Sequence, residues 1–350
     1  MSLSFFWILS LSLLFAQLVL LLALARRKQK MSAKEQAITQ QYEALSDTFS
    51  SYMVDPSDDR FIEEIRTNPH QTVVLERLLN GYVSVTKGGV KSPLVAKLSE
   101  DFLSAHYVRQ LSHKNWAIRM NTLYYIEDFH MQSLQPVLKE KLGKSTQLDQ
   151  ETQQLIRTLA SLDEPATISV LAKYPDAPVR LYTDVFKRLE EKTRLEELDT
   201  ALRNENNNKA LKHAAISYIG MSGLIAFLPR IEDELESEEG ELRIQALKAI
   251  LHLQYLTDPD SLVPFLQSPS WPERMYACRI AGKLQLSRFK ENLSTLLGDP
   301  VWWVRYSAAE ALVQFSDGDI LLTHLSAHHP DRYARDMAAQ WKSSLLGSEI

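Results

Sequence analysis

The chain has 350 residues, 45% of them hydrophobic, with 11 glycines, one cysteine and a formal net charge of −5. The lone Cys278 excludes an intramolecular disulfide framework. Residues 35–350 carry 34 basic against 44 acidic side chains, and so acidic a body excludes tracking of nucleic-acid phosphates, which needs clustered Lys and Arg.

Residues 3–25 hold a single strongly polar side chain, Gln17. As a helix they span roughly 34 Å, enough for the ~30 Å hydrocarbon core of a bilayer. Ala23-Leu24-Ala25 mimics a signal-peptide cleavage site, but signal peptides place positive charge before the apolar stretch. Here Arg26, Arg27, Lys28, Lys30 and Lys34 follow it. The expectation is a retained, single-pass transmembrane anchor over 1–25 in the cell membrane. Lys/Arg-rich flanks stay inside, so the N-terminus is expected outside and the rest of the chain in the cytoplasm.

Residues 26–55 read as a basic juxtamembrane helical stalk. Met31, Ile38, Tyr42, Leu45, Phe49 and Tyr52 share one helical stripe, with Glu35 interrupting the seam. The stripe either caps the first repeat or makes a homodimer through 31–53. The run Asp55-Pro56-Ser57-Asp58-Asp59 ends that helix and offers N-caps for the next.

From 56 to 350 a nine-residue phrase recurs. It reads VRYSAAEAL at 304–312, LRIQALKAI at 242–250 and ERMYACRIA at 273–281. Its basic residue falls at Arg119, Arg180, Lys212, Arg243, Arg274, Arg305 and Arg335, in steps of 61, 32, 31, 31, 31 and 30 residues. The first step is a double one that 144–162 fill without a basic residue in register. A period of this length signals a stacked-repeat architecture.

The phrase has helical spacing, and a second apolar stripe precedes it, as in Leu262/Phe265/Leu266, Leu293/Leu296/Leu297 and Leu321/Leu322/Leu325. Turn chemistry separates the two, as in Gly298-Asp299-Pro300, Ser268-Pro269-Ser270 and Pro175-Asp176-Ala177-Pro178. The pairs Ala308/Ala309, Ala214/Ala215, Ala277/Cys278 and Ala338/Ala339 let helices approach closely. Degraded copies are VKSPLVAKL at 90–98 and a helix pair over 60–80.

This helix–turn–helix unit resembles the bacterial HEAT-like repeat, most clearly in LLGDPVWWVRYSAAEALVQF at 296–315. The resemblance covers about 115–345 well and reaches weakly to about 60, for eight or nine repeats. It implies an all-α fold, a right-handed α-α superhelix over 56–350 behind the membrane helix. It also implies a ladder in which turn aspartates and second-helix arginines link adjacent repeats. Asp299 and Arg305, or Asp331 and Arg335, take those parts, with Arg243 and Arg274 as further rungs.

Little in the chain points to catalysis. Cys278 occupies a small inward position of its repeat. His324 and His328 are four apart, but lack an intervening glutamate, and His329-Pro330 already begins a turn. Lys87-Gly88-Gly89 is too short for a phosphate loop, and no nucleophile elbow or dinucleotide fingerprint occurs. Neither an enzyme activity, a metal nor a cofactor is expected.

Trp116, Trp271 and Trp302 each stand three residues before their repeat's basic residue, with Trp303 beside the last. They either close the turn or form an aromatic edge for a partner, since Trp is enriched in interface hot spots. The run IEDELESEEGE at 231–241, including Glu238 and Glu239, is a solvated turn or a docking patch for a basic partner. The sequence thus reads as a membrane-anchored cytoplasmic scaffold binding membrane or membrane-proximal proteins. The rival is a lyase-like enzyme or cofactor-binding protein with a site in the concave groove. Of the HEAT-like enzyme families, bilin lyases share only the repeats, and the acidic body argues against alkylpurine DNA glycosylases.

Overall fold

The computed structural model describes residues 3–86, 92–171, 173–174, 176–203 and 208–347, without the side chains of 3–6, 8–13 and 343–347. Lys87-Gly88-Gly89, the start of the 90–98 copy and Pro175 therefore lie outside the described residues. All described regular elements are helical, in two compact units, 1–162 and 163–350.

In the first unit α1 (Leu3–Val54) runs unbroken for 52 residues. It is followed by α2 (Arg60–Thr67), α3 (Gln71–Val85), α4 (Pro93–Gln110), α5 (Trp116–Asp128), α6 (Gln135–Gly143) and α7 (Gln150–Ser161). The expected membrane span is overturned: among the described residues no helix is long and apolar enough to cross a membrane. From Leu3 on, α1 passes through the cationic 26–34 segment without a break. The single-pass anchor, its N-outside orientation and the cytoplasmic placement that followed from it are withdrawn together.

The far end of α1 packs onto α2 and α3. Ile38, Leu45, Phe49 and Tyr52 are buried there, while Met31 stays exposed. Phe49 meets Phe61 edge-on at 5.2 Å and Tyr82 at 6.2 Å. Glu35, the polar interruption of the seam, pairs with Arg77 at 2.5 Å. The stripe is therefore covered by the chain's own first helix pair. The break after α1 falls as expected, but Asp58 rather than Asp59 accepts the amide of Arg60.

In the second unit the helices are α8 (Thr167–Leu171), α9 (Val179–Arg188), α10 (Glu191–Arg203), α11 (Lys209–Ser222), α12 (Leu228–Asp233) and α13 (Gly240–Leu253). They continue as α14 (Val263–Leu266), α15 (Trp271–Lys283), α16 (Lys290–Leu296), α17 (Trp302–Val313), α18 (Gly318–His328) and α19 (Arg332–Gly347). Among the described residues the helices after α1 form nine consecutive pairs, three in the first unit and six in the second.

The phrase-bearing second helix of each pair packs on the next: α3 on α5 and α5 on α7 in the first unit, and α9, α11, α13, α15, α17 and α19 in succession in the second. No repeat can bury its apolar face alone, so neighbours complete each other's core. Ala214, Ala215, Ala277, Cys278, Ala308 and Ala309 are all sealed from solvent. The last small pair is corrected: Ala339 is exposed, and Ala334 with Ala338, one helical turn apart, faces inward instead.

Closest approach occurs at two glycines just past the phrase. A Cβ on Gly220 would sit 2.7 Å from Ala249 Cα, and one on Gly282 would sit 2.5 Å from Ala311 Cα. Second helices also end on left-handed residues, eleven positions after the basic one at His130, Gly223, Gln254 and Gln285. At His130, Gly223 and Gln285 the next amide bonds the carbonyl five residues back, in Met131 to Ile126, Leu224 to Ile219 and Leu286 to Ala281. Asp163 has the same conformation, which assigns the basic register of the missing repeat to Thr152.

Gly282→Ala must push α15 away from α17 and is expected to cost about 1–3 kcal/mol in urea unfolding. Gly143→Ala meets nothing within 4 Å and is expected to change stability by no more than about 1 kcal/mol. Equal effects of the two substitutions would contradict the close-packed stack.

Candidate functional site

The recurring arginine is a two-sided clamp. One side holds its own turn: Nη1 donates to the carbonyls six and five residues earlier. Arg119 bonds His113 and Lys114 at 2.8 and 3.2 Å, and Arg243 bonds Ser237 and Glu238 at 2.8 and 3.2 Å. Arg274 bonds Ser268 and Pro269, Arg305 bonds Asp299 and Pro300, and Arg335 bonds His329 and Pro330 in the same way.

The residue six before each arginine uses its side chain too. His113 Nδ1, Ser237 Oγ, Ser268 Oγ, Asp299 Oδ1 and His329 Nδ1 each accept the amide two residues on, at 2.8 to 3.2 Å. These side-chain turns shape the entry to the second helix.

The other side of the clamp reaches the next repeat. Arg119 donates to both Glu151 oxygens at 2.9 Å, Arg243 lies 2.7 Å from Glu273, and Arg274 forks onto Asp299 at 2.7 and 3.0 Å. The carboxylates are recessed: the side chains of Glu273 and Asp299 are 3% and 4% exposed. Asp299 is thus the acceptor for Arg274 of the preceding repeat, while Arg305 uses only its backbone oxygen. Beyond its turn, Arg305 lies 5.2 Å over the Tyr333 ring, and Asp331 caps α19 by accepting the amide of Ala334. Glu151 and Glu273 were not singled out from the sequence because they are not turn aspartates, although each falls 30–32 residues after its arginine. Lys212 forms its own rung with Glu234 at 2.6 Å, and Arg180 is exposed.

The tryptophans stand at the first residue of their helices, Trp116 in α5, Trp271 in α15 and Trp302 in α17. All are exposed, and Trp303 is 52% accessible. Trp302 meets Trp303 edge-on at 4.7 Å and Tyr306 at 5.0 Å, and Tyr306 meets Trp341 at 5.0 Å. Four rings thereby form a continuous surface on the last two repeats of the second unit, with the exposed Tyr333 beside Arg305.

The acidic run is largely engaged. Glu232 accepts the amide of Thr257 at 2.6 Å, Glu234 pairs with Lys212, and Glu239 pairs with Lys209 at 3.0 Å. Glu238 remains exposed and offers its carbonyl to Arg243. Cys278 is fully buried, and burial pushes its thiol well above the usual range. The His324 and His328 rings stack at 4.7 Å, and no metal-binding group of His, Cys, Asp and Glu occurs among the described residues.

Residues 259–341 match the family described as HEAT repeats, so the repeats from α14 into α19 carry that pattern. Among solved structures, an engineered protein aligns at 13% identity over 88% of this chain and 95% of its own, with a TM-score of 0.39. The complex of CpcE and CpcF of phycocyanin lyase from Nostoc sp. PCC7120 aligns at 14% identity over 68% of this chain and 93% of its own, with a TM-score of 0.28. Human deoxyhypusine hydroxylase in complex with glycerol aligns at 17% identity over 79% of this chain and 100% of its own, with a TM-score of 0.27. Likenesses at these scores carry no argument about activity. No curated protein matches the sequence significantly.

The Glu151 rung gives a pH signature. Hydrogen bonds from Arg119, the largest cause, and then from Lys141 hold its carboxyl below the ordinary value of 4.5. A depressed carboxylate stabilises the fold fully above its unfolded pKa, and this is lost as pH falls through the folded value. Glu151→Gln is therefore expected to cost about 1.5–3 kcal/mol at neutral pH. That gap should close on acidification below the ordinary carboxylate range, as read by urea unfolding at a series of pH values. A gap independent of pH would contradict the ionic rung.

Proposed function

We propose that the chain is a HEAT-like protein-binding scaffold whose contact edge is the aromatic surface at the start of α17. The observation that carries this reading is the exposed pair Trp302 and Trp303, backed in ring-to-ring contact by the half-buried Tyr306 and Trp341. The residues that repeat most faithfully point inward or into the clamp, and are consumed by the fold. Exposed indoles are different, because they offer large rigid apolar area with little entropy to lose on binding. Trp271 holds the corresponding position one repeat earlier. The right-handed winding implied by the HEAT resemblance belongs to this reading, and so does the assignment of no catalysis to the chain.

The partner is another protein. The narrower expectation of membrane-proximal partners rested on the anchor and falls with it. The acidic segment around Glu238 is a secondary contact at most, since its neighbours already pair with lysines of α11.

Crosslinking pull-downs with the full chain and with Trp302→Ala/Trp303→Ala test the reading. The double variant is expected to fold with an unchanged helical signal and to lose specific partners, with affinity for the strongest reduced about thirtyfold or more. Identical partner sets at unchanged affinity would remove the aromatic edge from the account.

A further inference from the structure

The first unit contains a polar cleft of about 510 Å³ at the Arg119 rung, between the turn that precedes α5 and the loop that joins α6 to α7. Four cations line it, Lys114, Arg119, Lys141 and Lys144, against two carboxylates, Asp149 and Glu151. In a body with an acidic excess this is an outlying concentration of positive charge. The two carboxylates are moreover already committed. Asp149 caps α7 by accepting the amide of Thr152 at 2.8 Å. Glu151 is shared by two cations, Arg119 at 2.6 Å and Lys141 at 3.0 Å.

This rung differs from those at Glu273 and Asp299, each of which has a single basic side chain bound to its carboxylate among the described residues. The extra charge sits below the surface: the side chains of Arg119 and Lys141 are 22% and 29% exposed. Arg119 uses four of its five N–H donors on Glu151, His113 and Lys114, leaving one at Nη2. Lys141 gives one proton to the Leu111 carbonyl at 3.1 Å and one to Glu151, leaving the third. Lys144 stands at the rim, 74% exposed, and pairs across one helical turn with the similarly exposed Glu140. Lys114 is exposed at the other edge, and no carboxylate pairs with it among the described residues.

We propose that this cleft binds a small phosphate-bearing anion. Its oxygens would take the spare donors of Arg119 and Lys141 at the floor, and Lys114 and Lys144 would close over it from the rim. The volume lies in the range of small-ligand sites. Charge-assisted hydrogen bonds in a recessed pocket are stronger than the same contacts on an open surface. The site is independent of the aromatic edge, and either can fail alone.

Calorimetric titration of the full chain with inorganic pyrophosphate at fixed ionic strength tests this, with citrate in parallel. Saturable one-to-one binding of pyrophosphate is expected, tighter than that of citrate. Lys114→Gln/Lys144→Gln leaves the Arg119–Glu151 rung intact and is expected to weaken binding by about tenfold or more without shifting the melting temperature of the free protein. Lys283→Gln, remote at the end of α15, should bind as the wild type does. Absence of saturable pyrophosphate binding at millimolar concentration, or equal affinity in the rim variant, would overturn the site. Citrate binding as tightly as pyrophosphate would overturn the assignment to phosphate.

Discussion

A guanidinium tied to its own turn on one side and, at Arg119, Arg243 and Arg274, to a carboxylate of the neighbouring repeat on the other is the constraint on which the rest of this structure depends. The Nη1 bonds to the carbonyls six and five residues earlier recur in five repeats with nearly the same lengths. They satisfy turn carbonyls that would otherwise be unpaired beside a packed helix, where an orphaned polar group costs about 1–3 kcal/mol. In three of the five, Arg119, Arg243 and Arg274, the remaining edge of the guanidinium then meets a recessed carboxylate 25 to 32 residues on. Arg is suited to this because its rigid planar fork presents five donors, enough for two turn carbonyls and a forked carboxylate contact at once, whereas a lysine ammonium has three on a flexible stem.

The clamp also explains how the helices come so close. With turn and neighbour fixed, second helices approach until only Gly or Ala fits between them, at Gly220 against Ala249 and Gly282 against Ala311. Such contacts hold the phrase almost constant while leaving first helices, turns and outward positions free to vary. The aromatic surface, the acidic segment around Glu238 and the cationic cleft beside Arg119 all lie in that variable part. Function in this chain is therefore read from what differs between copies of the phrase.

Much of the fold was legible because a fixed contact writes a fixed period. The arginine spacing, the inward alanines and Cys278, and the turn prolines all follow from repeating the same pair of interfaces. What escaped is what chemistry can supply in several ways. The turn acceptor is His, Ser, Ser, Asp and His in the five clear copies, so no single letter marks it. The rung carboxylate moves between a turn aspartate and the first turn of a helix, which hid Glu151 and Glu273. Thr152 carries the basic register of its repeat without charge, and the left-handed Asp163 eleven residues later was the clue to it. The apolar start of α1 misled by composition, since among the described residues no helix is long and apolar enough to cross a membrane. The four tryptophans were legible as positions, but their exposure was not, because a residue at a helix start can face either the turn or the solvent. The cationic cleft could not be read at all: it needs Arg119 of α5 brought against Lys141 and Lys144 at the end of α6.

The central claim is that the arginine couples one repeat to the next. A double-mutant cycle with Arg274→Met and Asp299→Asn, followed by urea unfolding, tests it most directly, because asparagine keeps an oxygen for the Val301 amide. The account predicts a coupling of about 1–3 kcal/mol between the two sites. Effects that add to within about 0.5 kcal/mol would contradict it.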